Sequence, residues 1–344
     1  MARHTAISAS AAVGAVGAFA LARLLGSQLR NDAATHALVP EQLAATTKHT
    51  VRGPKDTFIA VWDTPAPRDD VPQIVFVHGW MGTHHVWDWV VRALHTKAHM
   101  VTFDLPFHGQ SGAPQPEGID LDFFGDALVH VLDDMVAAGP VVLVGHSLGG
   151  MIALNALRRH AAVLAPRLSA TVLISTAASF VDMPTPLGNV ARPVFGAAEA
   201  AVRHKMSRLA TRVFAAAVRH DTDLLWLFAR KVQGRHAQPA ITHGIVQAMR
   251  QAHPEALGVV TPSVLALDER AGLAVAASRP LCVIAGSDDW LTPRAISTAL
   301  GDASGGEVIV LDAIGHVAPK EAADQVAAII GRYVGVHHQP QVTS

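Results

Sequence analysis

Between Thr57 and Tyr333 the chain alternates short, β-branched apolar runs with longer stretches in which apolar residues recur at helical spacing. The runs occupy residues 73–77, 100–103, 141–144, 171–174, 281–284 and 308–311, and most are bounded by Gly, Pro or Asp. Runs that are apolar throughout, rather than at every second residue, belong to strands covered on both faces. Helical patterns lie between them at about 86–95, 121–138, 148–160, 294–300 and 321–333. This rhythm predicts an α/β fold: a mostly parallel central sheet with helices on both faces.

The rhythm breaks once, over the 103 residues between Thr176 and Pro280. A crossover needs a few loop residues and one helix, so a gap of this length must hold an inserted subdomain. Apolar spacing in Val213, Phe214 and Val218, and again around Leu224 to Phe228, makes it mainly helical. The division expected is a core of 51–180 and 256–335, a helical cap insertion at 181–255 and a tail at 336–344. Most apolar residues of the insertion should bury against the core. Met183, Phe195, Trp226, Phe228 and Met249 are the candidates for lining a pocket between the two.

Residues 1–26 stand apart from this pattern. Arg3 and His4 precede an uncharged, Ala-rich stretch at 6–22, and Arg23 follows it. A signal peptide, a retained membrane anchor and a surface helix all fit such a segment. Membrane association or export, with membrane contact through this segment, is therefore one expectation for the protein. Residues 27–50 read as a polar connector.

Composition removes several function classes. The 27 Lys and Arg balance 28 Asp and Glu, leaving no positive excess to neutralise a run of phosphates, so nucleic acid is not an expected partner. The single cysteine, Cys282, lies inside an apolar run, where a thiol is buried and inert. The pairs His84-His85 and His337-His338 have no third ligand at suitable spacing, so no metal site and no cofactor are expected, and these histidines read as surface loop residues.

The most specific local signal is Gly145-His146-Ser147-Leu148-Gly149-Gly150, directly after one strand pattern and directly before a helical one. A serine on such a turn projects its hydroxyl from the carboxyl end of the strand, and the small residues two before and two after it remove Cβ clashes that would forbid the bend. The helix beginning there aims unpaired N–H groups and the positive end of its dipole at the same point.

This arrangement resembles the α/β-hydrolase superfamily, and further motifs of that family follow in order over about residues 57–333. Ser147 stands at the nucleophile position. Gly286-Ser287-Asp288-Asp289-Trp290-Leu291-Thr292-Pro293 is similar to the family's acid loop and implies Asp289 as the acid, with Asp288 and the more remote Asp182 as alternatives. Gly315-His316-Val317-Ala318-Pro319-Lys320-Glu321 resembles the histidine loop and implies His316 as the base. The order Ser, Asp, His along the chain is the order of this family. His78-Gly79-Trp80-Met81-Gly82 resembles the oxyanion loop, which implies donors from the backbone of Trp80 and Leu148, with His78 bracing the loop. Asp104 to Ser111 resembles another family loop in which Asp104 and His108 brace, except that Phe107 stands where glycine is usual.

The chemistry the resemblance implies is cofactor-free hydrolysis of carboxylic esters of apolar or lipid-like small molecules through an acyl-enzyme. Serine is a weak nucleophile near neutral pH and needs an imidazole to take its proton. The same residues permit thioester or C–C bond hydrolysis, acyl transfer or perhydrolysis, and a member that binds ligand without turnover is the alternative outside enzymes. Epoxide hydrolases and haloalkane dehalogenases of this fold carry Asp at the nucleophile position, so Ser147 argues against both.

Overall fold

The computed structural model describes residues 25–31, 43–66, 71–136, 139–179, 216, 218, 220, 222–253 and 255–334. Met183, Phe195, Asp182, the histidines at 337 and 338 and the apolar stretch at 6–22 lie outside these residues. Among the described residues no helix is long and apolar enough to cross a membrane.

Eight strands form one sheet in the order β1-β2-β4-β3-β5-β6-β7-β8. These are β1 Thr47–Arg52, β2 Phe58–Thr64, β3 Gln73–Val77, β4 His99–Phe103, β5 Val141–His146, β6 Leu168–Ile174, β7 Leu281–Gly286 and β8 Glu307–Leu311. From β4 to β8 across the sheet every pairing is parallel, whereas β2 is antiparallel to both β1 and β4.

The helices are α1 Asp88–Leu94, α2 Leu121–Met135, α3 Leu148–Arg159, α4 Asp223–Lys231, α5 Pro239–Arg250, α6 Glu255–Leu265, α7 Arg270–Ala276, α8 Arg294–Ser304, α9 Ala318–Glu321 and α10 Ala323–Val334. Successive strand residues divide between two cores, as a period of two requires. Ile74, Phe76, Val142, Val144, Cys282 and Ile284 pack with Trp87, Val90 and Ile330 of the α1 and α10 side. Val75, Val77, Leu143 and Val283 pack with Leu128, Ile152, Leu273 and Leu300 of the α2, α3, α7 and α8 side.

The sheet starts earlier than the sequence reading placed it. β1 begins at Thr47, inside the stretch read as a connector, and neither β1 nor β2 was among the expected strands. β1 is an edge strand whose residues are exposed except for Val51, so it lacks the apolar run that marks a buried strand. Residues 25–31 are helical rather than connector-like. Leu29 packs against the α1 side of the core, and Arg30 forms an ion pair with Asp223 at the start of α4.

Candidate active site

Ser147 follows β5 directly, at φ 53, ψ −122, a backbone conformation that L residues seldom occupy, and Leu148 opens α3 after it. Small neighbours make the bend possible. A Cβ on Gly145 would stand 2.5 Å from Gly150 Cα, and one on Gly149 would stand 2.1 Å from the carbonyl oxygen of Val77. Thr176, just beyond β6, secures the turn by donating its hydroxyl to the Ser147 carbonyl at 2.6 Å.

Ser147 Oγ lies 2.9 Å from His316 Nε2, and His316 Nδ1 lies 2.9 Å from Asp289 Oδ2. These groups, 142 residues apart between Ser147 and Asp289 in the chain, meet because β5, β7 and β8 all deliver their following loops to one rim of the sheet. Burial works to raise the Asp289 pKa, but the adjacent His316 and the hydrogen bonds from Thr292 hold it below the usual carboxylate value. Asp289 Oδ1 accepts the N–H groups of Leu291 and Thr292 at 2.9 and 3.0 Å, and Oδ2 accepts the Thr292 hydroxyl at 2.6 Å. Asp288 points elsewhere: it binds Arg235 through the backbone N–H at 2.9 Å and through the guanidinium.

The imidazole loop is tied down on three sides. His316 N–H donates to Val232 O at 2.7 Å, His146 Nε2–H donates to His316 O at 2.8 Å, and the Glu321 carboxylate accepts N–H groups from Gly315 and Val317, each at 3.1 Å. Glu321 also accepts Gly234 N–H at 2.6 Å. Its burial raises its pKa against the pull of these donors. His146 is fully enclosed, and burial together with the neighbouring His316 lowers its pKa to about 3, so it is neutral.

Bracing extends to the loop after β3. His78 donates from Nδ1 to Gly79 O at 2.7 Å and accepts Leu105 N–H on Nε2 at 2.9 Å. Burial takes its pKa to about 3. Asp104 accepts from His84 N, His84 Nδ1 and Gln110 N. His84 is therefore not a surface residue: it is buried, pairs with Asp104 and stacks on Trp62 at 3.4 Å between ring centroids. Its Nδ1 is committed to a carboxylate. Phe107, where glycine is usual in this loop, does occupy a left-handed conformation at φ 67, with its ring buried near Phe124. Packing of that ring offsets a backbone preference of about 1 kcal/mol or more.

A cavity of about 110 Å³ opens beside Ser147. Trp80, Met81, Phe228, Met249, Leu291 and His316 are among its walls. Trp226, also expected in the pocket, is buried in the core instead, with its ring 6.1 Å from that of His243. Two positions along a helix are about 200° apart, so Trp226 and Phe228 cannot share a face. Leu148, at the start of α3, and Trp80, in the loop after β3, border Ser147, and Gly79 lets that loop approach: a Cβ there would stand 3.0 Å from Ser147 Cβ.

The sequence reading missed the segment that follows α4. Val232 and Gly234 bind the histidine loop, Arg235 binds Asp288, and Trp290 Nε1–H donates to Lys231 O at 2.9 Å. Gly234 lets the two segments meet, since a Cβ there would stand 2.0 Å from Ala313 O.

A pimeloyl-[acyl-carrier protein] methyl ester esterase of Aromatoleum aromaticum is 30% identical over 242 residues, covering 67% of this chain and 87% of that protein. The dihydrolipoyllysine-residue acetyltransferase component of an acetoin cleaving system from Pseudomonas putida is 28% identical over 255 residues, or 74% of this chain, which spans 60% of that protein's length. Among solved structures, an esterase from Thermogutta terrifontis superposes with a TM-score of 0.67 at 19% identity, covering 83% of this chain and 97% of that one. A bromoperoxidase from Bacillus anthracis gives 0.67 at 17% identity, covering 84% of this chain and all of that one (100%). These two likenesses establish a shared fold. Residues 74–329 match the Alpha/beta hydrolase family, and the chain belongs to that family.

Proposed function

We propose that the protein is a serine esterase working through an acyl-enzyme. The observation that carries this reading is the unbroken hydrogen-bonded line from Ser147 Oγ through His316 to Asp289, each step 2.9 Å. In it the Ser147 hydroxyl passes its proton to His316 Nε2 as the oxygen attacks the ester carbonyl carbon. Asp289, accepting from Nδ1, keeps the imidazole in the tautomer with Nε2 free and stabilises the imidazolium without taking the proton. His316 then protonates the departing alcohol, and water, activated by the same imidazole, releases the acid. The N–H groups of Trp80 and Leu148 are assigned to the oxyanion. A donor of this kind contributes about 10²–10³ in kcat because charge grows on that oxygen only during attack.

The substrate half beside Ser147 is short and apolar. Ligand pockets commonly span about 300–1,000 Å³, and the space among the described residues is about 110 Å³. This supports small acyl or alcohol groups over the long chains of a lipid-like ester. Helices α4 and α5, which contribute Phe228, Ile245 and Met249 to its walls, are assigned as a cap over the site.

A fluorophosphonate probe should label the wild type and fail to label Ser147→Ala, and when the acyl and alcohol halves of an ester are lengthened separately, one of the two should be restricted to short chains. Folded protein that neither labels nor turns over an ester would make it a binding member of the fold. Turnover only when peroxide is supplied with a carboxylic acid would transfer the reading to perhydrolysis. For residues 1–26 we propose membrane attachment or export, supported by the uncharged run at 6–22. Cell fractionation with intact-mass measurement tests it: a full-length soluble cytoplasmic product would overturn it.

A further inference from the structure

Next to the cavity beside Ser147 lies a larger one of about 710 Å³, bounded by α1, α5 and the start of α10, and Lys320 lines both. The two share Thr83, Ala248 and Lys320 in their walls. They differ in character. The smaller is almost wholly apolar, whereas the larger presents His85, His236, His243, Gln247 and Gln251.

Lys320 belongs to the short helix α9 and is partly buried. Opposite it on α5 stands Gly244, where even a Cβ would be 3.4 Å from Lys320 Nζ, so the ammonium lies close against a helix without a side chain. Among the described residues no carboxylate is within ion-pair distance of it. Burial lowers its pKa, and Asp88, the acid whose charge it feels, acts in the opposite direction. Asp88 is already engaged by His85 Nδ1 at 2.9 Å. Glu321, the next residue, has both carboxylate oxygens occupied by backbone N–H groups, and Asp324, in the same wall, is exposed. A sheltered ammonium with no carboxylate in direct contact is unfavourable, and an anion placed beside it would relieve that cost.

We propose that the natural substrates are esters bearing a carboxylate or phosphate on the half that occupies the larger cavity, where Lys320 pairs with it while the ester carbonyl sits at Ser147. This rests on the esterase reading above. The apolar slot then holds the small uncharged half. Lys320 acts as the selector between anionic and neutral esters.

The experiment compares monomethyl adipate, methyl hexanoate and methyl 6-(phosphonooxy)hexanoate by pH-stat on wild type, Lys320→Met and Gly244→Asp. Wild type should favour an anionic ester over methyl hexanoate by tenfold or more in kcat/KM, chiefly through KM. The larger of the two anionic ratios identifies carboxylate or phosphate as the group recognised. In Lys320→Met the ratio should fall to near one. Gly244→Asp should also abolish it with the lysine still present, by supplying a competing carboxylate, and so serves if Lys320→Met does not fold. A wild-type ratio near one, or a ratio that survives in both variants, would overturn the proposal. Calorimetric binding of adipate separates the two readings: if no ester is cleaved the esterase reading fails, while a tenfold loss of adipate affinity in Lys320→Met still upholds the anion site and an unchanged affinity removes it.

Discussion

Glu321 accepts the N–H of Gly315 through Oε2 at 3.1 Å, fixing the loop one residue before His316. The same carboxylate accepts Gly234 and Val317, so one side chain sets the height of the imidazole and joins it to the segment after α4. Replacing it with alanine leaves three buried or half-buried N–H groups without acceptors. At about 1–3 kcal/mol each when unsatisfied, Glu321→Ala should lose at least about 3 kcal/mol of stability. Glu321→Gln keeps one acceptor oxygen and should fall between. Denaturant unfolding measures the order, and the rate of fluorophosphonate labelling reports whether His316 has shifted.

Asp289 and Asp288 are neighbours with separate duties. Asp289→Asn should fold, because the amide oxygen can still accept from Leu291 and Thr292, yet it favours the wrong imidazole tautomer. A loss on the order of 10⁴ in kcat is expected for that fault. Asp288→Asn breaks the contact with Arg235 and should leave kcat within about threefold, since an exposed pair contributes little. Steady-state kinetics on one short ester distinguishes them, and equal losses would show that Asp288 shares the acid's role.

Acid should unfold this protein early. Burial lowers the pKa of His78 and His146 to about 3 and that of His108 to about 4, while in the unfolded chain each titrates near 6.5. Below pH 6.5 the unfolded state therefore binds protons that the folded state refuses, and stability falls as pH falls until the folded pKa values are reached. With three such groups the slope is about 4 kcal/mol per pH unit. Within the usual total of about 5–15 kcal/mol, a fold worth about 6 kcal/mol would unfold near pH 5 and one worth about 10 kcal/mol near pH 4. Urea midpoints at pH 7.5, 5.5 and 4.5 check this. A flat profile to pH 4.5 would show that the three imidazoles are solvated.

The bend at Ser147 should tolerate no added methyl group beside it. Gly149→Ala brings a Cβ to 2.1 Å from Val77 O, which is backbone and cannot swing aside. The substitution should abolish soluble expression or cost several kcal/mol, at the upper end for single changes. Gly244→Ala, which meets only Lys320 at 3.4 Å, is the control expected to fold normally.

The fold was legible where strands are sandwiched. β3 was read to the residue, Gln73–Val77, because both its faces are apolar. β1 was not, since an edge strand carries polar side chains outward and its partner is set by β2 rather than by its own composition. The meeting of Ser147, Asp289 and His316 could be anticipated because each follows a strand of one sheet. The pairing of Asp288 with Arg235, the burial of His84 and the turning of Trp226 into the core could not, because each depends on where a helix or loop from a distant part of the chain comes to rest. Lys320 carried no signal at all in the sequence: its isolation is a property of the cavity.

The hydrogen bond from His316 N–H to Val232 O ties the imidazole to the chain segment that leaves α4. Residues 232–235, directly after α4, bind both the histidine loop and Asp288 beside the acid. A chimera that imports a foreign α4 to alter substrate range should stay active only if its graft ends before Val232.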